Sequence, residues 1–377
     1  AERFPERVAA EPEVIARHYE HAGLAAAAIT HYQRAGESAT QRSANEEAIG
    51  HLRRALDLVA TLPETRERHQ MELGLQMAIG APLSAARGWS HPEYEQTYAR
   101  ARALASLIGE SPELPRVLAE MAGAYYHKGD LATTAEVAQE ALAAAERTRD
   151  AFDLLSAQFL VGMPLFHPGH FSRALHHFEH TIKLYNPSEH GPLAYAVGYD
   201  SCVNAHGYAA SCHIYLGHPD RALALSEAAV ALAKRVEHPL SLAIALFWAG
   251  LVHFERGETD RMRERAGEVV DLAERLGFPM FLGAGKVFRG WARVELGEAE
   301  AGLAEMQQAM VELAGIGSGI GAPQWLAMLA ERLRKVGRHD DTLGALALSV
   351  ARAEKQGQHF YDADLHRLRA EILISDS

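Results

Sequence analysis

Histidine is the residue type whose number and spacing most suggest chemistry in this sequence. The chain has 377 residues, of which 21 are histidines. The densest run, HPGHFSRALHHFEH, contains His167, His170, His176, His177 and His180. His176 and His180 are four residues apart and would share one helix face, as two zinc ligands do. Because no HExxH motif and no third ligand completes the set, we interpret the run as a solvated helix surface and predict no metal site.

Other motifs for catalysis or cofactor binding are incomplete or missing. The string GAGK at 283–286 resembles part of a phosphate-binding loop, which needs a glycine five residues before Gly285. Met280 stands there, and a valine follows the lysine where the loop needs Ser or Thr. Cys202 and Cys212 have the wrong spacing for a zinc knuckle and suit small buried packing positions. We therefore expect no catalytic residue and no cofactor in this chain.

Composition excludes two classes of partner. The formal net charge is -12, the pI is about 6.0, and the basic residues are scattered among acidic ones. A nucleic-acid partner would need a concentrated basic surface, so we expect none. No apolar run reaches the roughly 18 residues of a membrane helix, so no membrane association is expected. Two cysteines and a polar, proline-broken start without Met predict a cytoplasmic location and suggest a segment of a longer protein.

A repeat organises the sequence. Glycines recur between two amphipathic runs at intervals of 40, 48, 40, 40 and 40 residues, at Gly129, Gly169, Gly217, Gly257, Gly297 and Gly337. The residue seven positions before each is always Gly or Ala, and the residue twelve positions after is never larger than Val. The next position always carries a sizeable apolar side chain. Small residues allow two helices to approach closely, and the turn glycine suits a left-handed helix end.

This register resembles the tetratricopeptide repeat, with a unit of about 40 residues instead of the usual 34 or so. The resemblance implies an all-α, right-handed superhelical solenoid of about eight to nine helix pairs without a sheet. We assign tetratricopeptide-like repeats to 112–377, with an insertion near 187–203. Residues 63–111 read as a degenerate helix pair, and 1–62 as irregular N-terminal helices leading into the solenoid.

A second resemblance depends on particular strings. ARHYEHAGL and YAVGYDSCVNAHGYAASCHIYLGHPDRALALSEAAVALA look like the C-terminal region of large bacterial signalling proteins. Those proteins place an AAA-type or signal-transduction ATPase before a repeat array, and many carry a class III adenylate/guanylate cyclase domain. The resemblance implies a non-catalytic sensory or protein-interaction domain that regulates an upstream effector. Alternatives are a structural oligomerisation arm and, less favoured, a histidine-based metal-dependent enzyme.

The first helix of each pair is expected to line the inner curve of the solenoid. Positions ten, six and three residues before the turn glycine predict a binding groove of Tyr126, Phe159, Met163, Phe166, Phe247, Leu251, Phe254 and Trp291. Positions two before it predict a polar rim that includes His127, His167, Tyr215 and Glu255. Tyr199, Asp200 and Asn204 are the polar residues to watch at the insertion.

Two interpretations of this wall stay open. It could bind a protein or peptide partner or a small apolar ligand, because exposed aromatic-rich concave patches mark binding sites. The same residues could instead pack against neighbouring helices as core. Solvent access to Phe166, Phe254 and Trp291, and any cavity beside them, separates the two interpretations.

Overall fold

The computed structural model describes residues 12–109 and 111–375, which are helical and contain no strand. The helices, numbered in chain order, are α1 (Pro12–His21), α2 (Ala25–Gln41), α3 (Asn45–Ala60), α4 (Arg66–Arg87), α5 (Pro92–Ile108), α6 (Leu114–Lys128), α7 (Leu131–Thr148), α8 (Ala151–Phe166), α9 (Phe171–Leu184), α10 (Pro187–His190), α11 (Ala194–Val197), α12 (Ser201–Tyr215), α13 (Pro219–Val236), α14 (Pro239–Glu255), α15 (Thr259–Leu276), α16 (Pro279–Glu295), α17 (Ala299–Gly315), α18 (Ala322–Lys335), α19 (His339–Gln356) and α20 (Asp362–Ser375). This arrangement confirms the predicted all-α solenoid of tetratricopeptide-like helix pairs.

In the part of the chain that the structure describes, eight helix pairs make up the array, from α2 with α3 to α18 with α19, and α1 and α20 flank it. In the six pairs from α6 onward, the predicted turn glycine ends the first helix. All six of these glycines have a positive φ, between +71° and +94°. Residues other than glycine rarely adopt a positive φ. Glycine therefore recurs at these positions because the backbone turn requires this conformation.

Helices within a pair approach closely where the sequence places small residues. A Cβ atom at Gly290 in α16 would lie only 2.7 Å from the carbonyl oxygen of Gly302 in α17. At Gly162 in α8 it would lie 2.7 Å from the ring of Phe178 in α9. Both glycines stand seven residues before a turn glycine. The small-residue register therefore marks the contact between first and second helices.

The insertion in the repeat array is helical. It consists of α10, a 3-10 turn at Gly191–Leu193, and α11. A Cβ atom at Gly198 would lie 3.2 Å from the Cα atom of Ala81, so α4 presses against the end of this insertion. The backbone N–H of Asp200 donates to Ser241 Oγ at 2.8 Å, which fixes the insertion to α14. The insertion thus bridges early and middle repeats.

The superhelix also coils back on itself. The loop after α17 donates from Gly319 N to the carbonyl oxygen of His127 at 2.9 Å. The loop after α19 donates from His359 N and Phe360 N to the carbonyl oxygen of His167, at 2.7 and 2.9 Å. Gln358, which is fully buried, connects the two loops by hydrogen bonds to Gly319 and Gly321. The last repeats therefore close over the ends of α6 and α8, and the inner face becomes an interior.

Within the described ranges, no helix is long and apolar enough to span a membrane.

Candidate ligand-binding cavity

A cavity of about 100 Å³ lies inside the superhelix. The first helices of six pairs, α6, α8, α12, α14, α16 and α18, contribute to its wall, and so do the two returning loops through Ser318, Ile320 and Phe360. A single water molecule needs only about 10–15 Å³ of such space. Protein interiors have few voids larger than a water molecule. This space is therefore large enough for several water molecules or a small organic molecule.

The wall of the cavity is rich in aromatic residues. Its ring-bearing residues, apart from two histidines, are Trp89, Tyr126, Phe166, Tyr199, Tyr208, Phe247, Trp248, Phe281, Trp325 and Phe360. Aromatics are only 7% of the sequence, so ten of them around one cavity is a strong enrichment. Among the described residues, no Lys or Arg lines the cavity, whereas one carboxylate, that of Glu120, does. The wall can therefore hold an apolar or aromatic group and offers no cation to an anionic ligand.

Two histidines, the buried His167 and the half-buried His127, give the cavity buried Nδ1 atoms without partners. His127 stacks on Trp89 with 4.7 Å between ring centroids, and His167 Nε2 lies 2.5 Å from the hydroxyl oxygen of Tyr126. That hydroxyl also bonds to the hydroxyl of Tyr208. Burial lowers the pKa of both histidines to about 3, so both rings are neutral near pH 7. Neither Nδ1 atom has a hydrogen-bond partner in the described part of the chain.

Glu120 is the one carboxylate in the wall. Its side chain is buried, and Oε2 accepts a hydrogen bond from the hydroxyl of Tyr94 at 2.5 Å. Burial raises the pKa of this carboxyl to about 7, against smaller lowering effects from Tyr94 and Arg116. Arg116 makes its ion pair with Asp153, at 3.3 Å, and not with Glu120. Glu120 is therefore a buried acid that lacks a direct cationic partner.

Five of the eight residues predicted for the groove line this cavity: Tyr126, Met163, Phe166, Phe247 and Leu251. From the predicted rim, His127 and His167 line it as well, and so do Tyr199 and Asn204 from the insertion group. The two returning loops cover part of this space, where the sequence suggested an open groove. The cause is the return of the last two loops, which no pattern within a repeat reveals.

The other predicted residues lie outside the cavity wall. Phe159 is fully buried between Phe178 and Tyr208, and Phe254 packs edge-on against Trp291 at 5.2 Å between centroids. Tyr215 donates to Glu255 Oε1 at 3.1 Å, so these two predicted rim residues satisfy each other. Asp200 caps α12 by accepting from Val203 N at 2.9 Å. These side chains hold helices together and face no described cavity space.

Sequence reasoning missed several residues of the wall. Glu120, Leu160, Tyr208 and Trp248 all stand nine residues before a turn glycine, and Ile244, Ala284 and Gln324 stand thirteen before one. These offsets continue the same helix face by one turn and could have been found by extending the register. Trp89, in the loop before α5, and Phe360, in the loop before α20, lie outside the register altogether.

The motifs set aside at the outset behave as ordinary structural residues. Among the described residues, no group of three or more His, Cys, Asp or Glu side chains could hold a metal ion. His177 bonds to Gln158 at 2.8 Å, and His176 is exposed. Lys286 lies within α16 and pairs with Glu312 at 3.2 Å. Both cysteines are buried, and neither forms a disulfide bond.

Comparison with known proteins gives a structural relationship. No family model and no curated protein sequence matches the chain. A Rap protein complexed with Competence and Sporulation Factor superposes with a TM-score of 0.62 at 13% identity, over 87% of this chain and 98% of that one. Aspartyl phosphate phosphatase F from Bacillus subtilis gives 0.55 at 11% identity, over 87% and 95%. The apo form of RapI gives 0.52 at 15% identity, over 75% and 98%. At these identities the likeness shows a shared fold, an all-helical repeat solenoid.

Proposed function

We propose that this chain is a sensory repeat domain that binds a small apolar, aromatic-containing ligand in the cavity inside the superhelix. The observation that carries the proposal is the cavity itself, an aromatic space with uncommitted polar atoms at its wall. Pockets of this composition, mostly apolar with a few placed polar groups, are typical of ligand sites.

A purely structural interior explains these features less well. Buried polar atoms in native proteins are nearly always hydrogen-bonded, and an unbonded one costs about 1–3 kcal/mol. His127 Nδ1 and His167 Nδ1 both lack a partner, and both residues line the same space. A bound molecule or ordered water in that space could satisfy them. The pairing of unsatisfied atoms with empty volume is what favours a ligand over simple packing.

The size of the cavity favours a small molecule, or the apolar end of a peptide, over a whole peptide strand. The Rap structure that superposes on this chain was solved in complex with Competence and Sporulation Factor. A fold of this kind therefore holds a bound factor in one neighbour, which supports the proposal for this chain. A protein or peptide partner on the outer surface is compatible with a small ligand inside.

We further propose that ligand binding regulates an upstream effector, an ATPase or nucleotide cyclase of the signalling proteins that the sequence resembles. The loops at 316–321 and 357–361 both line the cavity and bind the ends of α6 and α8. A bound ligand would thus favour closure of the last repeats onto the middle ones. The free energy of this shift equals the difference in the ligand's binding free energy between the closed and the open form. Sequencing the gene upstream of Ala1 tests this, and an ATPase or cyclase domain there is the expected result. An upstream region with neither would contradict the effector assignment.

The binding proposal is tested with indole, a neutral aromatic probe, by thermal unfolding and calorimetry. Gly123 lines the cavity, and a Cβ atom there would meet no atom within 4 Å. Gly123→Leu should therefore fill the space without unfolding the chain. We expect indole to raise the Tm of the wild type and not that of Gly123→Leu.

The matched control is Gly344→Leu, which changes an exposed helical glycine with open space around it. This variant should bind indole as the wild type does. Equal binding by the wild type and a folded Gly123→Leu variant, or no binding by the wild type, would contradict the proposed site.

A further inference from the structure

We propose that the ligand of this cavity carries a positive charge, and that it is an aryl-alkyl ammonium whose cationic group lies against Glu120 and the aromatic wall. This inference rests on the proposed function and adds the chemical class of the ligand.

The first support is the distribution of charge. Glu120 is the one acidic side chain of the wall, and no Lys or Arg of the described residues joins it there. Only one of its carboxylate oxygens is hydrogen-bonded, to Tyr94. Arg116, whose charge lowers the pKa of Glu120, forms its ion pair with Asp153. A ligand cation would provide the missing partner, and a ligand anion would meet a buried carboxylate with nothing to offset it.

The second support is the nature of the remaining surface. Trp89, Tyr199 and Phe281 all line the cavity, with 5.9 and 6.5 Å between the ring centroid of Trp89 and those of its two neighbours. Aromatic faces attract ammonium groups by their quadrupoles, most strongly where water is excluded. His127 and His167 are neutral, so neither repels a cation. The aryl part of the ligand would occupy the space beside Phe166 and Phe247.

Protonation of Glu120 should control the affinity. Tyr94 and Tyr98 from α5 and Tyr199 from the insertion face this carboxyl, and burial raises the pKa of each tyrosine, so all three stay neutral. Arg116 on the same helix forms an ion pair with Asp153 of α8. Glu120, with a pKa of about 7, is thus the wall group that changes charge near neutrality. Its ionised fraction rises about tenfold between pH 6 and pH 8, and we expect ammonium affinity to rise by a similar factor.

Three probes of similar size separate charge from shape: 2-phenylethylamine, 2-phenylethanol and phenylacetate, measured by calorimetry at pH 8. We expect the amine to bind at least about tenfold more tightly than the alcohol, which is the scale of a single charge-assisted hydrogen bond, and phenylacetate to bind most weakly. Glu120→Gln keeps the shape and an acceptor for Tyr94. It should reduce amine binding to the level of the alcohol and abolish the pH dependence.

Two controls make the outcomes distinct. Glu136→Gln changes an exposed carboxylate on α7 and should bind all three probes as the wild type does. Unchanged binding of 2-phenylethanol by Glu120→Gln would show that the variant is folded. If the alcohol or phenylacetate binds the wild type as tightly as the amine, or if Glu120→Gln retains the amine preference, the charge inference fails while the proposed function stands. If indole binds and none of the three probes does, the charge inference fails alone. If indole fails too, both fail.

Discussion

Two aromatic clusters on the inner side of the solenoid share one register and have different surroundings. Phe166 and Phe247 border the cavity, whereas Phe254 and Trp291 form a closed cluster. In the closed cluster the guanidinium of Arg332 lies 4.2 Å above the ring of Trp291. Arg332 in turn pairs with Glu295 and Glu331. A cation therefore packs on the aromatic face in this cluster, whereas no Lys or Arg of the described residues lines the cavity.

The position of a residue within its repeat determines which way its side chain faces. Contacts from distant repeats determine whether that side chain is accessible to solvent or a ligand. Arg332, which covers the Trp291 ring in the closed cluster, lies on α18, the first helix of the last pair. The loops that carry Ile320 and Phe360 cover the other cluster and leave space beneath. Aromatic residues at equal offsets can thus be core in one part of the superhelix and cavity wall in another.

The largest expected effect of a single substitution is on the closed cluster. Trp291→Ala should lower the free energy of unfolding by about 3–5 kcal/mol, because it leaves a void and removes the aromatic face from a buried guanidinium. Phe247→Ala should cost less, about 1–3 kcal/mol, since Phe247 already borders open space. Urea unfolding of both variants measures the difference. An equal or reversed order would show that the two clusters are packed alike.

A pH effect of intermediate size should come from the cavity wall. Burial raises the pKa of Glu120 from 4.5 to about 7, so the folded chain holds a proton that the unfolded chain releases between these values. Stability from this group is therefore highest at low pH and is lost as pH rises from about 4.5 to 7. The loss is on the order of 2–3 kcal/mol. Glu120→Gln should thus gain stability relative to the wild type between pH 4 and pH 8.

The comparison between variants isolates this group from others that titrate in the same range. His127, His167 and Glu255 also have shifted pKa values, but they are present in both proteins and cancel. The exposed Glu136→Gln variant should show no such trend. A constant stability difference between Glu120→Gln and the wild type across this range would mean that Glu120 is solvated.

The smallest effect is expected at the helix that joins the two clusters. α14 contributes Phe247 to the cavity wall and Phe254 to the closed cluster. A Cβ atom at Gly250 would lie 3.4 Å from the ring of Phe288, so the rest of a leucine must displace that ring. Gly250→Leu should destabilise the chain by about 1–3 kcal/mol. An unchanged Tm would mean that this helix contact is loose; Gly344→Leu, on an exposed face, is the reference.

Most of the fold follows from the sequence, and about half of the site does. The turn glycines and the small residues seven positions before them determine where each first helix ends and where its partner packs, and both are local effects. Tyr126, Met163 and Phe166 face inward for the same reason. The approach of Trp89 and Phe360 depends on how many repeats complete one turn of the superhelix. That number reflects small rotations summed over many helix pairs, so no single repeat encodes it.

The cavity inside the superhelix is proposed here as a ligand site. Diffraction from crystals grown with 5-bromoindole tests it directly, because the anomalous signal of bromine locates the molecule without reference to the surrounding density. We expect one bromine position within the cavity, between the rings of Trp89, Phe166 and Phe247, and none there in crystals of Gly123→Leu. If the wild-type cavity contains no bromine, whether or not bromine occupies other sites, the cavity is not the proposed ligand site.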